Sequence, residues 1–491
     1  MATPKSITGF SPDTVRPTGK LTLALALVSL ACATAWLPPP IAAQVDQLDS
    51  VGRYVTREMA RQQIPGVSIA IVRGDSIVLA RGYGFANLEH RVPASDSTVY
   101  QSGSLGKQFT GTAVGMLARQ GRLKVDDAIT RWLPEGKGTW DSITVRQLLT
   151  HTSGVPDYTD SLIDLRKDYT EDQLVRLAAS QPLDFPPGTS WSYSNTGYLL
   201  LGVLIHRVTG RFYGDVLRDL LFDPLGMHTR VISEADIVPN RAAGYRLVKG
   251  QVKNQEWVSP TLNTTADGAL YLTANDLARW ALGLRERRLP PAPVLDEAWT
   301  PVRLKDGGVF PYGYGWGLAD QRGHRRIGHT GSWQGFKTAI YRYPEFDLTV
   351  VALANLAEAT PGPLAEGVAG IVEPALRPPQ LLSGPISGPN PPVSISTLLQ
   401  RMAAGTDTGL AAGARRHLAP AAGRQLPETL KQVGTWTPLG CERPLGGRAR
   451  WLGADAVRVC YARATGTKER AVATVYYTDD WKATYFEVEN Y

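Results

Sequence analysis

The chain has 491 residues, 43% of them hydrophobic and 20% charged, with a formal charge of +7. At roughly 100–200 residues per domain this predicts two or three domains with cores of ordinary size, and it excludes a disordered, collagen-like or polytopic membrane chain. Basic residues are scattered rather than run together, which argues against nucleic acid as a partner, and three cysteines exclude a disulfide scaffold or a Cys-rich zinc module.

In chain order, Arg16 and Lys20 precede an uncharged apolar run over residues 21–37, three prolines follow, and Ile41-Ala42-Ala43 closes the segment. Residues 1–43 therefore read as a secretory signal with cleavage near Ala43/Gln44. This predicts an exported protein, periplasmic or extracellular. Retention of the segment as an anchor and lipid modification of Cys32 stay open, and this segment is the only route to a membrane. Residues 46–63 predict an amphipathic helix; residues 67–72 and 77–80, with Arg73-Gly74-Asp75 between them, predict a hairpin. Helical spacing follows from Ser104 to Arg119, then near 144–150, 171–180, 196–208, 213–222 and 274–287. Strand-like runs return at 325–332, 336–343 and 348–355. Strands at both ends with helices between them predict an antiparallel sheet built from both ends of the segment, plus an inserted all-α lobe. Residues 377–394 hold six prolines and almost no charge, a linker. Beyond it, a helix over 396–431 and strands at 456–463, 470–478 and 482–489 predict a small α+β domain (395–491) containing Cys441 and Cys460 as an even pair.

Three short stretches carry chemistry. In Ser104-Leu105-Gly106-Lys107 the hydroxyl and the ammonium are just under one helical turn apart and project on one side, at a helix N-terminus. A lysine whose pKa is depressed can serve as base to a serine nucleophile. Tyr193-Ser194-Asn195 offers a phenol that could shuttle the proton and an amide, Asn195, that can donate to and accept from a substrate; a helix cap with a packed tyrosine is the plainer alternative. In His329-Thr330-Gly331-Ser332, Gly331 would admit a substrate backbone to a strand, His329 and Thr330 could bind a carboxylate, and the Ser332 and Ser104 N–H groups could hold an oxyanion. An ordinary edge strand with a surface histidine is the alternative there.

In this order and spacing the three stretches resemble the penicillin-recognising serine hydrolases: class C β-lactamases, serine DD-peptidases, D-aminopeptidases and β-lactamase-like esterases. Ile64-Pro65-Gly66-Val67, residues 148–158 (LLTHTSGVPDY), Asp223-Pro224-Leu225-Gly226-Met227, Gly328-His329-Thr330-Gly331 and Gly335-Phe336 are similar to the same family. The likeness spans about residues 50–375 and stops short of the last hundred. It implies an α+β two-lobed β-lactamase-like fold over 44–376, with an antiparallel sheet flanked by helices and an all-α lobe. It implies an acyl-enzyme on Ser104, proton transfer through Lys107 and Tyr193, substrate binding by Asn195, His329, Thr330, Gly331 and Ser332, and neither metal nor organic cofactor. The substrate would be a small molecule or peptide with an amide or ester bond. His329 stands where class C β-lactamases carry lysine, which lowers the expectation of strong β-lactamase activity and predicts pH-dependent recognition of anions by a partly charged ring. A true β-lactamase and a non-hydrolytic receptor for cell-wall peptides are the rival readings. His151 reads as structural or cleft-lining, Trp333, Tyr312 and Tyr314 as packing or pocket residues. His90, His206, His228, His324 and His417 have no metal spacing.

Overall fold

The computed structural model describes residues 41–159, 163–232, 236–379, 386, 388–403, 409–410, 435–443, 456–465 and 471–490. The signal-segment assignment and Cys32 lie outside these residues, as do His417 and most of the helix expected over 396–431. Asp46–Tyr491 is one compact unit.

Helix α1 (Ile41–Gln62) leads into β1 (Gly66–Arg73), β2 (Ser76–Asn87) and the short β3 (Val92–Pro93). After the helical segment the chain returns through β4 (Gly317–Gln321), β5 (His324–Trp333), β6 (Phe336–Tyr343) and β7 (Leu348–Ala354), then the helix Pro361–Val372. The seven strands form one antiparallel sheet in the order β4-β5-β6-β7-β1-β2-β3. The two chain ends meet where β1 pairs with β7, from Val67 opposite Ala354 to Arg73 opposite Leu348. The hairpin and the three later strands thus occur where periodicity placed them. Strand β4 and the helices Ala292–Ala298 and Pro361–Val372 were not anticipated, being short or rich in small residues and proline.

Both faces of the central strands are covered, so β1 and β7 are near-continuous apolar runs. Val67, Ile69 and Ile71 with Val350 and Ala352 pack outward against α1 and Pro361–Val372. Ala70, Val72, Val351 and Leu353 pack inward against the helical lobe. That lobe is centred on the helices Lys107–Arg119 and Asn195–Thr209, in which Phe109, Tyr198 and Leu200 are fully buried. Its helix starts are written in sequence as capping boxes, Thr144 with Gln147 and Thr170 with Gln173, which satisfy two otherwise orphaned N–H groups each.

The strands Thr435–Glu442, Arg458–Thr465, Ala471–Tyr477 and Ala483–Asn490 form a separate four-stranded antiparallel sheet with its own core, including Leu398, Trp436 and Val475. Its first strand was not foreseen. Cys441 lies directly opposite Cys460 on neighbouring strands, and the two are disulfide-bonded. The small sheet belongs to the same compact unit as the large one. Glu442 joins them, accepting two bonds of 2.8 Å from Arg322 and one of 2.7 Å from the Tyr461 hydroxyl. Among the described residues no helix is long and apolar enough to cross a membrane.

Candidate active site

Ser104 sits in a tight turn, Gly103–Gly106, that runs directly into the helix beginning at Lys107. Gly103 adopts φ +53°, and a Cβ there would stand 2.5 Å from the Ser332 nitrogen. The left-handed glycine therefore lets the nucleophile turn press against the end of β5, bringing the Ser104 and Ser332 main chains together. Gly331 serves the same contact: a Cβ on it would meet the Ser102 carbonyl at 2.0 Å and Thr338 Oγ1 at 2.3 Å. Gly331 lines the cleft, as a place for substrate requires, and the Ser102–Leu105 backbone packed against it is a further reason for glycine there.

Lys107 is fully buried. Its Nζ makes three short contacts: 3.0 Å to Ser104 Oγ, 2.7 Å to Asn195 Oδ1 and 2.6 Å to the Asp267 carbonyl. Burial pulls its pKa down to about 8, against the opposing pull of the Asp267 and Asp157 carboxylates. In the neutral amine, two hydrogens go to the two carbonyl oxygens, and the lone pair is left facing Ser104 Oγ. The geometry therefore suits the base form.

Tyr193 and Asn195 flank Ser194, whose hydroxyl accepts from the Gly197 N–H and caps the helix Asn195–Thr209. The capping alternative and the site alternative both hold, on adjacent residues. Asn195 is held at both ends of its amide: Oδ1 takes Lys107, and Nδ2 and its backbone N–H both donate to Asp157 Oδ2, at 3.0 and 3.2 Å. Its place is to orient Lys107. The Tyr193 phenol is held well above its usual range by burial, while the nearby Ser104 hydroxyl pulls the other way. Tyr193 Oη is buried and makes no hydrogen bond of ordinary geometry in this state. Lys107 Nζ lies over the ring face, 5.0 Å from its centre. Burial thus keeps Tyr193 as the neutral phenol.

His329 projects from β5 toward the same cleft. Its Nδ1 donates to the Thr330 carbonyl, which leaves Nε2 to accept from the Tyr312 hydroxyl at 2.9 Å. The ring keeps some open surface on the cleft yet is crowded by neighbours, and this burial brings its pKa down to about 4. Both nitrogens being satisfied in the neutral tautomer points the same way. The expected partly charged ring is therefore corrected to a neutral one at physiological pH. Thr330 and Ser332 have exposed side chains on the opposite face of β5 from His329.

Several residues went unassigned by sequence reasoning. Asp157, inside the stretch 148–158, anchors Asn195, and burial raises its pKa. Asp267 accepts from the Tyr158 hydroxyl at 2.6 Å and offers its carbonyl to Lys107; no motif marks it. Tyr312 lines the cleft, whereas Tyr314 is buried in the lobe core and Trp333 donates to Asn263 Oδ1. His151 lies tilted against Tyr193 with ring centres 4.3 Å apart, accepts from the Ser194 N–H, and is kept neutral chiefly by burial. The cleft at Ser104 has a volume of about 620 Å³ and runs from Trp191 and Tyr193 past His329 to Gly362. Among the described residues no three His, Cys, Asp or Glu side chains cluster as metal ligands do.

A two-lobed α+β body with a serine and a buried lysine on one helical turn defines a β-lactamase-type fold. The β-lactamase family model matches residues 51–370, and the chain belongs to that family. It is 30% identical over 318 residues to penicillin-binding protein 4* of Bacillus subtilis strain 168, covering 61% of this chain and 70% of that one. D-amino acid amidase of Ochrobactrum anthropi SV3, solved with L-phenylalanine amide, superposes with a TM-score of 0.57 at 26% identity, over 67% of this chain and 97% of that one. The octameric penicillin-binding protein homologue of Pyrococcus abyssi shares the fold at a TM-score of 0.61 and 22% identity. That match covers 90% of this chain and all of the other, so likeness of fold extends beyond the matched family segment.

Proposed function

We propose that this protein is an exported serine hydrolase that cleaves amide or ester bonds of small or peptide substrates, of the kind that penicillin-binding proteins and D-amino acid amidases bind or cleave. The observation that carries the reading is the Lys107 amine, fully buried, hydrogen-bonded to two carbonyl oxygens, and set 3.0 Å from Ser104 Oγ. Ser104 Oγ attacks the substrate carbonyl carbon as its proton passes to Lys107 Nζ, directly or through Tyr193 Oη. The developing oxyanion is received by the Ser104 and Ser332 N–H groups. The leaving amine or alcohol takes the proton, and water then attacks the acyl-enzyme with the same groups acting in reverse. Export rests on the N-terminal apolar segment.

Amidase or peptidase action is favoured over a true β-lactamase because His329 is neutral where class C enzymes carry a cation. Turnover of a D-phenylalanine amide, a D-alanyl-D-alanine peptide, a p-nitrophenyl ester and nitrocefin, each beside Ser104→Ala, tests the reading. Hydrolysis that persists without the serine hydroxyl would discard it. Absence of turnover together with failure of fluorophosphonate or fluorescent penicillin to label Ser104 would favour the non-hydrolytic receptor.

A further inference from the structure

The stretch 148–158 ends in Asp157-Tyr158, and neither of these side chains lines the cleft at Ser104. They reach instead the two oxygens that hold Lys107. Their backbone is pinned beside the start of the helix Asn195–Thr209, where the Tyr158 N–H donates to Thr196 Oγ1 at 2.8 Å. From there the two side chains diverge. Asp157 accepts at Oδ2 from the Asn195 backbone N–H and Nδ2, and at Oδ1 from the Thr159 N–H at 3.1 Å. Tyr158, buried in the lobe core, donates its hydroxyl to Asp267 Oδ2 at 2.6 Å.

Each arm ends on one acceptor of the amine. The bonds of Asp157 to Asn195 and Thr159 are all accepted, the pattern of an ionised carboxylate, and only the donor end of an amide can face it. Asn195 must then turn Nδ2 to Asp157 and Oδ1 to Lys107, at 2.7 Å. The reverse orientation would set an NH2 group against the amine hydrogens. Tyr158 holds the other side. Its bond to the Asp267 carboxylate fixes the residue whose main-chain carbonyl accepts from Lys107 at 2.6 Å. Asp267 Oδ1 has no partner, so among the described residues this phenol is the carboxylate's sole donor. With both oxygens fixed, two amine hydrogens are committed and the remaining orbital faces Ser104 Oγ.

We propose that Asp157 and Tyr158 form a two-armed clamp that positions both acceptors of Lys107 and so aims the amine lone pair at Ser104. The inference rests on the hydrolase reading above. Both are positioning residues: neither touches the reacting atoms, and each acts through the carbonyl oxygen that it holds. The clamp also places charge. Facing Lys107 are the Asp157 and Asp267 carboxylates, which favour the ammonium, the rings of Tyr193 and Tyr198, over which Nζ lies, and His151 and His329, both kept neutral by burial. The charges that oppose deprotonation of the amine are thus the two carboxylates that the clamp contains.

The test is the second-order rate of Ser104 labelling by an uncharged fluorophosphonate on the full chain, followed between about pH 6 and 10 with thermal unfolding alongside. Asp157→Asn keeps the shape of the side chain but sets an NH2 group among N–H donors. Its plateau rate falls roughly tenfold or more, while the midpoint of the acid limb moves about half a unit to lower pH, because a charge that favoured the ammonium is gone. Asp157→Ser, smaller and equally uncharged, gives the same two changes and serves where the asparagine variant does not fold. Tyr158→Phe lowers the plateau roughly fivefold, and its midpoint also moves, upward if the Asp267 carboxylate stays ionised without its donor and downward if it takes up a proton. A lowered plateau with an unmoved midpoint, in a folded variant, is damage to the nucleophile turn and overturns the clamp; a parental plateau in either Asp157→Asn or Tyr158→Phe does the same. No labelling of the parent, or labelling that persists in Ser104→Ala, sinks the hydrolase reading itself, and so is told apart from failure of the clamp alone.

Discussion

The two faces of the large sheet are buried equally well by different chemistry. Outward, Ile69, Ile71, Val350 and Leu364 meet in an apolar layer with Tyr343, and the buried charges there, Arg326 and Glu366, neutralise one another in an ion pair. Inward, beside Phe109, the protein holds Lys107, Asp267, His151 and the tyrosines Tyr193, Tyr198 and Tyr312 close together. Several of their polar atoms, Tyr193 Oη, His151 Nε2 and Asp267 Oδ1, lack hydrogen-bond partners. Buried polar groups are nearly always paired, and leaving one unpaired costs roughly 1–3 kcal/mol. The outer layer stabilises the scaffold, and the inner one spends part of that stability to hold reactive groups away from water.

Substitutions should separate the two faces cleanly. The largest effect belongs to Ser104→Ala, which should reduce turnover by roughly 10⁴-fold or more and abolish covalent labelling, with an unaltered melting profile. Lys107→Ala should cost nearly as much, and the double variant little more than either single one, since the pair acts as a unit; additive losses would show that the two do not. On the outer face, Ile69→Ala should lower stability by roughly 2–5 kcal/mol in denaturant titration, yet leave the folded fraction labelled by fluorophosphonate at the parental rate. A change in that rate would mean that the faces are coupled.

The remaining effects are smaller. Activity requires the neutral Lys107 amine, so kcat/KM should rise about tenfold per pH unit below the lysine pKa and level off above about 8. With His329 down at about 4, no inflection from that ring should appear between about pH 5.5 and 7. An inflection there that His329→Gln removes would restore the charged imidazole. Ser194→Ala should cost only about 1 kcal/mol, the loss of one helix cap. If instead it lowers kcat far more than stability, the cap also sets the position of Tyr193.

Local patterning determined a good deal of this protein on its own. Apolar runs of strand length marked the hairpin and β5 to β7, and Ser104 and Lys107 were legible together because three residues on a helix are neighbours whatever the rest of the chain does. Tertiary structure alone decided what depends on distant segments meeting. It made Gly331 a packing contact for the nucleophile turn, turned Asn195 and Asp157 toward Lys107, and brought the unmarked Asp267 carbonyl to the same amine. It also settled protonation, since the charge of Lys107 and His329 follows from desolvation and from which partners face each nitrogen, and neither quantity is a property of neighbours in sequence.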